Sequence, residues 1–185
     1  MDEKHKKRGR RSHLNDFHLN VAGEYVYDGS IFVCRSSEES LRGSKRAVWI
    51  MAAALALAVV AGGCIPAPGM QNCFYVLLPY LGEFLGAASV IWALAKLGMD
   101  WGTVREYNYK KSVAVLPVRT AVTAVFSLLG IVCELIFFFV NDHAGQTFFA
   151  LLYVLLKLTA LLSALVLRAE IMQAEWDKLP KKDNS

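Results

Sequence analysis

Three charged side chains lie inside long apolar stretches of this chain, and they are the residues best placed to do chemistry. Glu83, Glu134 and Lys157 are each flanked on both sides by mainly apolar residues. A charged side chain at the centre of a bilayer costs about 2.5 to 3.5 kcal/mol on insertion scales, so its presence indicates a role. A carboxylate at this depth can carry a proton or a cation, and an ammonium group can neutralise a carboxylate.

Glu83 and Lys157 are predicted to lie at the same depth. Glu83 follows Phe74 by nine residues and Lys157 follows Thr147 by ten, and both Phe74 and Thr147 begin apolar stretches. A helix rises about 1.5 Å per residue, which places both charges roughly 14 to 15 Å from the same face of a membrane. We interpret them as an ion pair that joins two helices, because removing one member of a buried pair is costly. The alternative is a path for an ion or a proton.

Glu134 is predicted to lie nearer that face of the membrane. It precedes Val140, the last residue of its apolar stretch, by six residues, or about 9 Å of helix. We expect its carboxylate to bond to a nearby hydroxyl group, such as that of Ser127 or Thr147, or to reach water. In the alternative hypothesis, Glu134 lies near the mouth of a path that contains the other two charges.

Four apolar stretches must position these charges, and they place the chain among membrane proteins. Residues 47–63, 74–95, 120–140 and 147–167 are each mostly apolar, and hydrophobic residues make up 55% of the chain's 185 residues. A helix that crosses a bilayer needs about 20 mostly apolar residues, with a range of about 17 to 25. We therefore predict an all-α membrane protein with a bundle of four transmembrane helices.

The positive charges predict how the chain is oriented. Ten Lys or Arg residues precede residue 47, five lie within 96–119 and four within 168–185, whereas 64–73 and 141–146 contain none. Cytoplasmic segments carry the excess of Lys and Arg. We therefore predict a multi-pass protein of the cell membrane with both termini in the cytoplasm.

The segment before the first apolar stretch is predicted to contain a small cytoplasmic β-hairpin element. Residues 1–12 form a polar basic arm, which we expect to orient the chain and to contact anionic lipids. Residues 24–27 and 30–33 have strand character and flank Asp28-Gly29, which favours a two-residue hairpin turn. Residues 17–21 alternate in polarity and are candidates for a third strand. An isolated hairpin is marginally stable in water, so this element must pack on another part of the protein.

The polar segments divide the chain into three parts. Residues 1–46 hold the basic arm, the hairpin and a helix that leads into the first span, and residues 47–167 form the bundle. Residues 168–185 are predicted to form a cytoplasmic helical tail, in which the helix itself ends before Pro180. The connection at 96–119 is expected to contain a short interfacial helix.

Small residues at four-residue spacing are predicted to let helices approach closely. This pattern occurs in the first stretch at Ala54, Ala58 and Gly62, and in the second at Gly82 and Gly86. Lipid offers no hydrophobic drive for helices to associate, so close backbone packing matters more than in water. We expect the first and second helices to pack through these small residues, although the same pattern also suits a homodimer face.

Cys64 and Cys73 lie in one short connection, on the side predicted to be outside the cytoplasm. Disulfides persist in oxidising compartments, and a bridge here would close a small loop and stabilise the first helical hairpin. We predict a disulfide between them, the alternative being two free thiols at helix ends. Cys34 and Cys133 are expected to be unpaired.

The sequence contains no arrangement of residues typical of an enzyme or a metal site. Its His residues lack the spacing of zinc ligands, and phosphate-binding loops and nucleophile elbows are missing. We therefore expect a non-enzymatic membrane accessory or interaction protein without a metal, a cofactor or a nucleic-acid partner. Its expected partners are the lipid bilayer and either another protein or further copies of itself. The alternative is a small oligomeric transporter or channel that uses Glu83, Glu134 and Lys157.

Overall fold

The computed structural model describes residues 17–19, 25–27, 30–35, 38–98, 102–141 and 146–179. Within them the chain is mostly helical and has a small strand element. The four long helices are α1 (Glu38–Cys64), α3 (Phe74–Leu97), α5 (Leu116–Val140) and α6 (Thr147–Gln173). Two short helices, α2 (Pro68–Asn72) and α4 (Glu106–Lys111), lie in the connections.

Proline and glycine mark several helix ends. Pro68 and Pro117 occupy the first turns of α2 and α5, where a missing backbone N–H costs no hydrogen bond. Gly98 follows α3 with a φ of 68° and donates its N–H to the carbonyl of Leu94. This left-handed conformation suits a residue without a Cβ atom, so Gly98 ends the helix.

The four long helices form a ring. Helix α3 packs on α5, α5 packs on α6 and α6 packs on α1, while a smaller contact between α1 and α3 closes the ring. Helices α3 and α6 therefore lie at opposite corners of the bundle. The buried core is largely aliphatic and includes Leu55 of α1, Val90 of α3 and Leu167 of α6.

Large apolar side chains also cover the outside of the bundle. Leu57, Leu85 and Leu151 are mostly exposed, and Phe139 is 82% exposed. Contiguous apolar surface of this kind is rare on soluble monomers. All four long helices have the length and the apolar composition needed to cross a membrane. Together these features indicate a membrane-embedded protein.

The strands form two small sheets. Strands β1 (Phe17–Leu19) and β2 (Tyr25–Tyr27) pair antiparallel with each other. Strand β3 (Ile31–Cys34) is the centre of a second sheet, with β4 (Thr103–Arg105) on one side and β5 (Trp176–Leu179) on the other. Both pairings in the second sheet are antiparallel.

The strand element is confirmed, but its predicted pairing is wrong. The sequence predicted that the strands on either side of Asp28-Gly29 pair with each other, and that dipeptide lies outside the described residues. Strand β2 instead pairs with β1, and β3 pairs with two distant segments. Three strands bury more side-chain surface than an isolated hairpin, which is marginal in water. For β3, pairing with two distant strands therefore replaces the predicted local pairing.

The end of the chain also differs from the prediction. Helix α6 ends at Gln173, and Trp176–Leu179 form strand β5 where the sequence predicted a continuing helix. The ladder to β3 and the packing of Trp176 against the core override local helix propensity. A short helix, α4, is present in the middle connection where the sequence predicted an interfacial helix, and its N-cap residue is Arg105, without a side-chain capping bond.

The small residues of the second helix face a different neighbour from the one predicted. A Cβ atom at Gly82 would lie 2.5 Å from the ring of Phe126 in α5, and one at Gly86 would lie 2.6 Å from the hydroxyl of Thr123 in α5. Helix α1 packs mainly on α6, with Ala58 and Gly62 buried and Ala54 half-buried. The expected packing of the two small-residue faces against each other is therefore not observed.

Candidate functional site

The structure brings Glu83 and Lys157 together at the centre of the bundle. Lys157 Nζ forms an ion pair with Glu83 Oε2, and the side chains of Lys157 and Glu83 are 2% and 0% exposed. Because α3 and α6 lie at opposite corners of the ring, the pair crosses the interior of the bundle. It therefore joins two helices that otherwise pack mainly on other partners.

Other polar and aromatic groups complete the surroundings of the pair. The hydroxyl of Ser127 in α5 donates a hydrogen bond of 2.7 Å to Glu83 Oε1, so both carboxylate oxygens have a partner. Lys157 Nζ lies 4.5 Å from the ring centroid of Tyr80 and 4.9 Å from that of Tyr153. Aromatic faces attract cations, most strongly where water is excluded. The two charges are thus neutralised within a closed cluster.

Neither tyrosine is among the site residues predicted from the sequence, although helical spacing contains the signal. Tyr80 precedes Glu83 by three residues and Tyr153 precedes Lys157 by four. Residues three or four apart lie on the same face of a helix. Each tyrosine therefore lies one turn from a member of the ion pair, on the side that points into the bundle.

Glu134 is separate from the ion pair and has a different kind of partner. Its Oε1 atom accepts a hydrogen bond of 3.3 Å from the backbone N–H of Gly69 in α2. The predicted hydroxyl partner Ser127 instead bonds to Glu83. A Cβ atom at residue 69 would collide with Glu134 Oε2, so glycine is what allows the short helix to approach the carboxylate.

Two buried oxygen atoms near this point have no hydrogen-bond partner among the described residues. They are Glu134 Oε2 and the hydroxyl of Tyr153, and both residues are 0% exposed. A buried polar atom without a hydrogen-bond partner costs folding free energy, so its presence in a structure needs an explanation such as a functional role. Glu134 is therefore the least satisfied of the three intramembrane charges.

The connection next to Glu134 holds the two cysteines that the sequence predicted to be bridged. Both are free, with Cys64 exposed and Cys73 half-buried. Cys64 is the last residue of α1, whereas Cys73 is the N-cap of α3, and the short helix α2 lies between them. The predicted disulfide is wrong because the connection is folded around α2 instead of closing directly between the two helix ends.

A second candidate site lies at the other end of the bundle. We call residues 30–35, 102–115 and 174–179 the platform, which contains β3, β4, β5 and α4. Its inner face packs on the bundle core: Val104 is buried, and the ring of Phe32 stacks on that of Tyr109 with 3.9 Å between centroids. Trp176 meets Tyr109 edge-on at 5.7 Å. These aromatic contacts join the sheet to α4, and Val104, Tyr109 and Trp176 pack with the buried core of the bundle.

The outer face of the platform sheet combines apolar and charged groups. The strand register places Ile31 between Arg105 and Leu179, and it places Val33 next to Asp177. Alternate residues of a strand point to opposite faces, so these side chains lie on the face opposite Phe32. Leu179 is 51% exposed, while Ile31 and Val33 are half-buried. The face is thus apolar at its centre and charged at its edges.

Ion pairs hold the platform segments together. Lys178 of β5 lies 3.5 Å from Glu106 of α4, and Lys110 lies 2.6 Å from the same carboxylate. The hydrogen bond from Lys110 keeps the pKa of Glu106 below its ordinary value. Arg35, which follows β3, lies 3.8 Å from Asp177 of β5. Exposed pairs of this kind contribute little stability each, so they orient the segments more than they stabilise them.

Searches for similarity to known proteins gave no match. No model of a protein family, no curated protein and no solved structure matches this chain.

Proposed function

We propose that this chain is a multi-pass protein of the cell membrane whose four-helix bundle anchors a cytoplasmic platform that docks a protein partner. The excess of Lys and Arg at the platform end of the bundle and in the terminal segments supports a cytoplasmic platform with both termini inside. The role is non-enzymatic. The basic arm of the chain at residues 1–12, which lies outside the described residues, would add contact with anionic lipids.

The observation that carries the proposal is the composition of the platform's outer face. Ile31, Val33 and Leu179 form an apolar centre, and Arg105 and Asp177 lie beside them in the strand register. Protein interfaces have an apolar core within a polar rim. The two charges differ in sign, which favours a partner surface with its own charges of both signs over a uniformly charged ligand such as nucleic acid.

The construction of the platform supports the same role. Its three strands come from the start, the middle and the end of the chain, and each is joined directly to a membrane helix or to a short connection. The stacked rings of Phe32 and Tyr109 join the sheet to α4, and Tyr109 packs against the bundle core. A rigid scaffold that presents an exposed face is typical of a binding surface.

Site-specific photo-crosslinking in living cells tests the docking proposal. A photoreactive phenylalanine analogue is introduced at Leu179 or Thr103 on the outer face, and at Trp92 as a control that is exposed on the outside of α3. We expect a crosslinked protein species from the first two positions and none from Trp92. The change Val33→Glu, which places a charge at the apolar centre, is expected to abolish that species.

Two results would refute the docking proposal. One is crosslinking from Trp92 that equals crosslinking from the platform positions. The other is a crosslinked species that persists unchanged with Val33→Glu. Crosslinks between two copies of the chain would instead identify the partner as a second copy of this protein. The small residues of the helices are also compatible with such a homo-oligomer.

A small oligomeric transporter or channel is the second candidate function. It is favoured by the buried Glu134 Oε2 atom, which has no hydrogen-bond partner among the described residues. A carboxylate in that state is suited to take up a proton or a cation. Glu83 and Lys157, in contrast, neutralise each other. Proton flux into vesicles that contain the purified protein, compared with flux for Glu134→Gln, tests this candidate; equal flux with both proteins would exclude it.

A further inference from the structure

A groove on the outside of the bundle runs along the first part of α5. It has a volume of about 380 Å³ and is lined by Pro117, Ala121, Val125 and their neighbours, with Arg168 of α6 at one end. Its lining is almost entirely aliphatic apart from Arg168 and the ring of Phe126. The volume falls within the range of about 300 to 1,000 Å³ that is common for small-ligand sites.

The length of the groove matches one leaflet of a bilayer. It extends along α5 from Pro117 to Phe126, which is nine residues or about 14 Å of helix. Half of a hydrocarbon core of about 30 Å is about 15 Å. Because Pro117 lies beside the platform, the groove covers the acyl depth of the leaflet on the platform side.

Arg168 supplies a positive charge where a lipid headgroup would lie. One of its Nη atoms donates to the carbonyl of Pro117 at 3.3 Å, which holds the guanidinium at the platform end of the groove. Among the described residues, Arg168 has no acidic partner within ion-pair distance. A guanidinium carries five N–H donors and pairs well with phosphate. Donors therefore remain for a second, anionic partner.

We infer that this groove binds one anionic phospholipid of the platform-side leaflet, with an acyl chain along Ala121 and Val125 and the phosphate at Arg168. The charge of the guanidinium selects an anionic headgroup over a neutral one. The aliphatic lining selects a chain over a polar ligand. This inference rests on the proposed insertion in a membrane and is independent of the proposed docking of a partner.

Photo-crosslinking with lipid probes tests the inference. The full chain is reconstituted into vesicles of ordinary phosphatidylcholine that contain a trace of one probe lipid. The probe is either phosphatidylglycerol or phosphatidylcholine, and each probe carries a diazirine in its acyl chain. Crosslinks to the peptide that covers residues 117–126 are then measured by mass spectrometry. We expect about fivefold more crosslinking from phosphatidylglycerol, the effect of one cationic side chain at an anionic headgroup.

Variants separate charge from shape. Arg168→Gln is expected to remove the preference for phosphatidylglycerol, and Arg168→Lys is expected to keep it. Arg46→Gln, which removes an exposed charge of α1, is the matched control and should leave the preference unchanged. Ala121→Phe should fill the groove and reduce crosslinking from both probes, whereas Val132→Phe, on an exposed position further along α5, should not.

Equal crosslinking from the two probes would overturn the inference, because the groove would then hold only the surrounding lipid. So would an unchanged preference in Arg168→Gln. If Arg168→Gln does not fold, the inference is still tested by comparing the two probes on the unsubstituted chain and on Arg168→Lys. Retention of the protein in vesicles after alkaline washing reports membrane insertion separately. The platform change Val33→Glu should not affect lipid crosslinking, so a failure of docking is distinguishable from a failure of lipid binding.

Discussion

The ion pair between Glu83 and Lys157 can be tested by a double-mutant cycle. The single changes are Glu83→Leu and Lys157→Met, and the third variant combines them. Each single change leaves one charged group in the bundle centre without its partner, because both side chains are at most 2% exposed. The combined change replaces the pair with apolar side chains of similar size, which need no partner.

The structure sets the expected magnitudes. Removing one member of a buried pair typically costs about 3 to 5 kcal/mol, whereas replacing the whole pair with apolar residues is often neutral or stabilising. In the double variant, the Ser127 hydroxyl can still donate to the carbonyl of Thr123, which lies 3.0 Å away. We therefore expect each single variant to lose about 3 to 5 kcal/mol and the double variant to stay within about 1 to 2 kcal/mol of the unsubstituted protein.

Thermal stability in detergent provides the assay. The fraction of monodisperse protein that remains after heating is measured by size-exclusion chromatography. For a chain of this size, 1 kcal/mol corresponds to about 2 to 4 °C in Tm, so each single variant should lose roughly 6 to 20 °C. Leu158→Met, next to Lys157 but exposed on the outside of the bundle, is the control and should change Tm little.

One outcome would refute the reasoning. If the double variant is as unstable as either single variant, the two side chains do not stabilise the bundle through each other. Their interaction energy would then be near zero, and the case for Glu83 and Lys157 as functional groups would be stronger than the case for a structural pair.

Three further predictions concern residues at close contacts and the cysteines. Gly82→Ala should lower stability by about 1 to 3 kcal/mol because the added Cβ meets the phenyl ring against which Gly82 packs. Gly62→Ala is the control: a Cβ atom there has nothing within 4 Å, so the change should be neutral or slightly stabilising. Equal Tm values for the two variants would contradict this prediction. Gly69→Ala should also lower stability by about 1 to 3 kcal/mol, because its Cβ would collide with the buried carboxylate of Glu134. An unchanged Tm would contradict this and would show that the carboxylate can move aside. Maleimide labelling of Cys64 and Cys73 in intact membranes should be the same with and without reductant because both thiols are free; labelling that requires reductant would restore the disulfide.

Local features of the chain were accessible from the sequence. The apolar stretches predicted the four long helices because the length and composition of a helix in a bilayer are set by the thickness of the hydrocarbon layer. The shared depth of Glu83 and Lys157 followed from the rise of the helix, and the structure brings these two residues together. Strand character at residues 30–33 likewise agrees with β3.

Partners that are distant in the chain were not accessible in this way. The Asp28-Gly29 dipeptide suggested a local hairpin, but β3 pairs with β4 and β5 because the folded bundle brings those segments to its end. Gly69 was not identified as the partner of Glu134, since its backbone N–H carries no sequence signal. The same holds for the orientation of Gly82 toward α5.

The sequence by itself determined where the chain is apolar, where it is charged and that four helices are long enough to cross a membrane, because hydropathy and helical rise are properties of neighbouring residues. Only the tertiary structure decided which helices are adjacent, which strands pair and that the platform, the Glu134 contact and the groove beside Arg168 exist. Each of these depends on segments far apart in the chain meeting at one place. Their positions follow from the packing of the whole bundle and not from any local pattern.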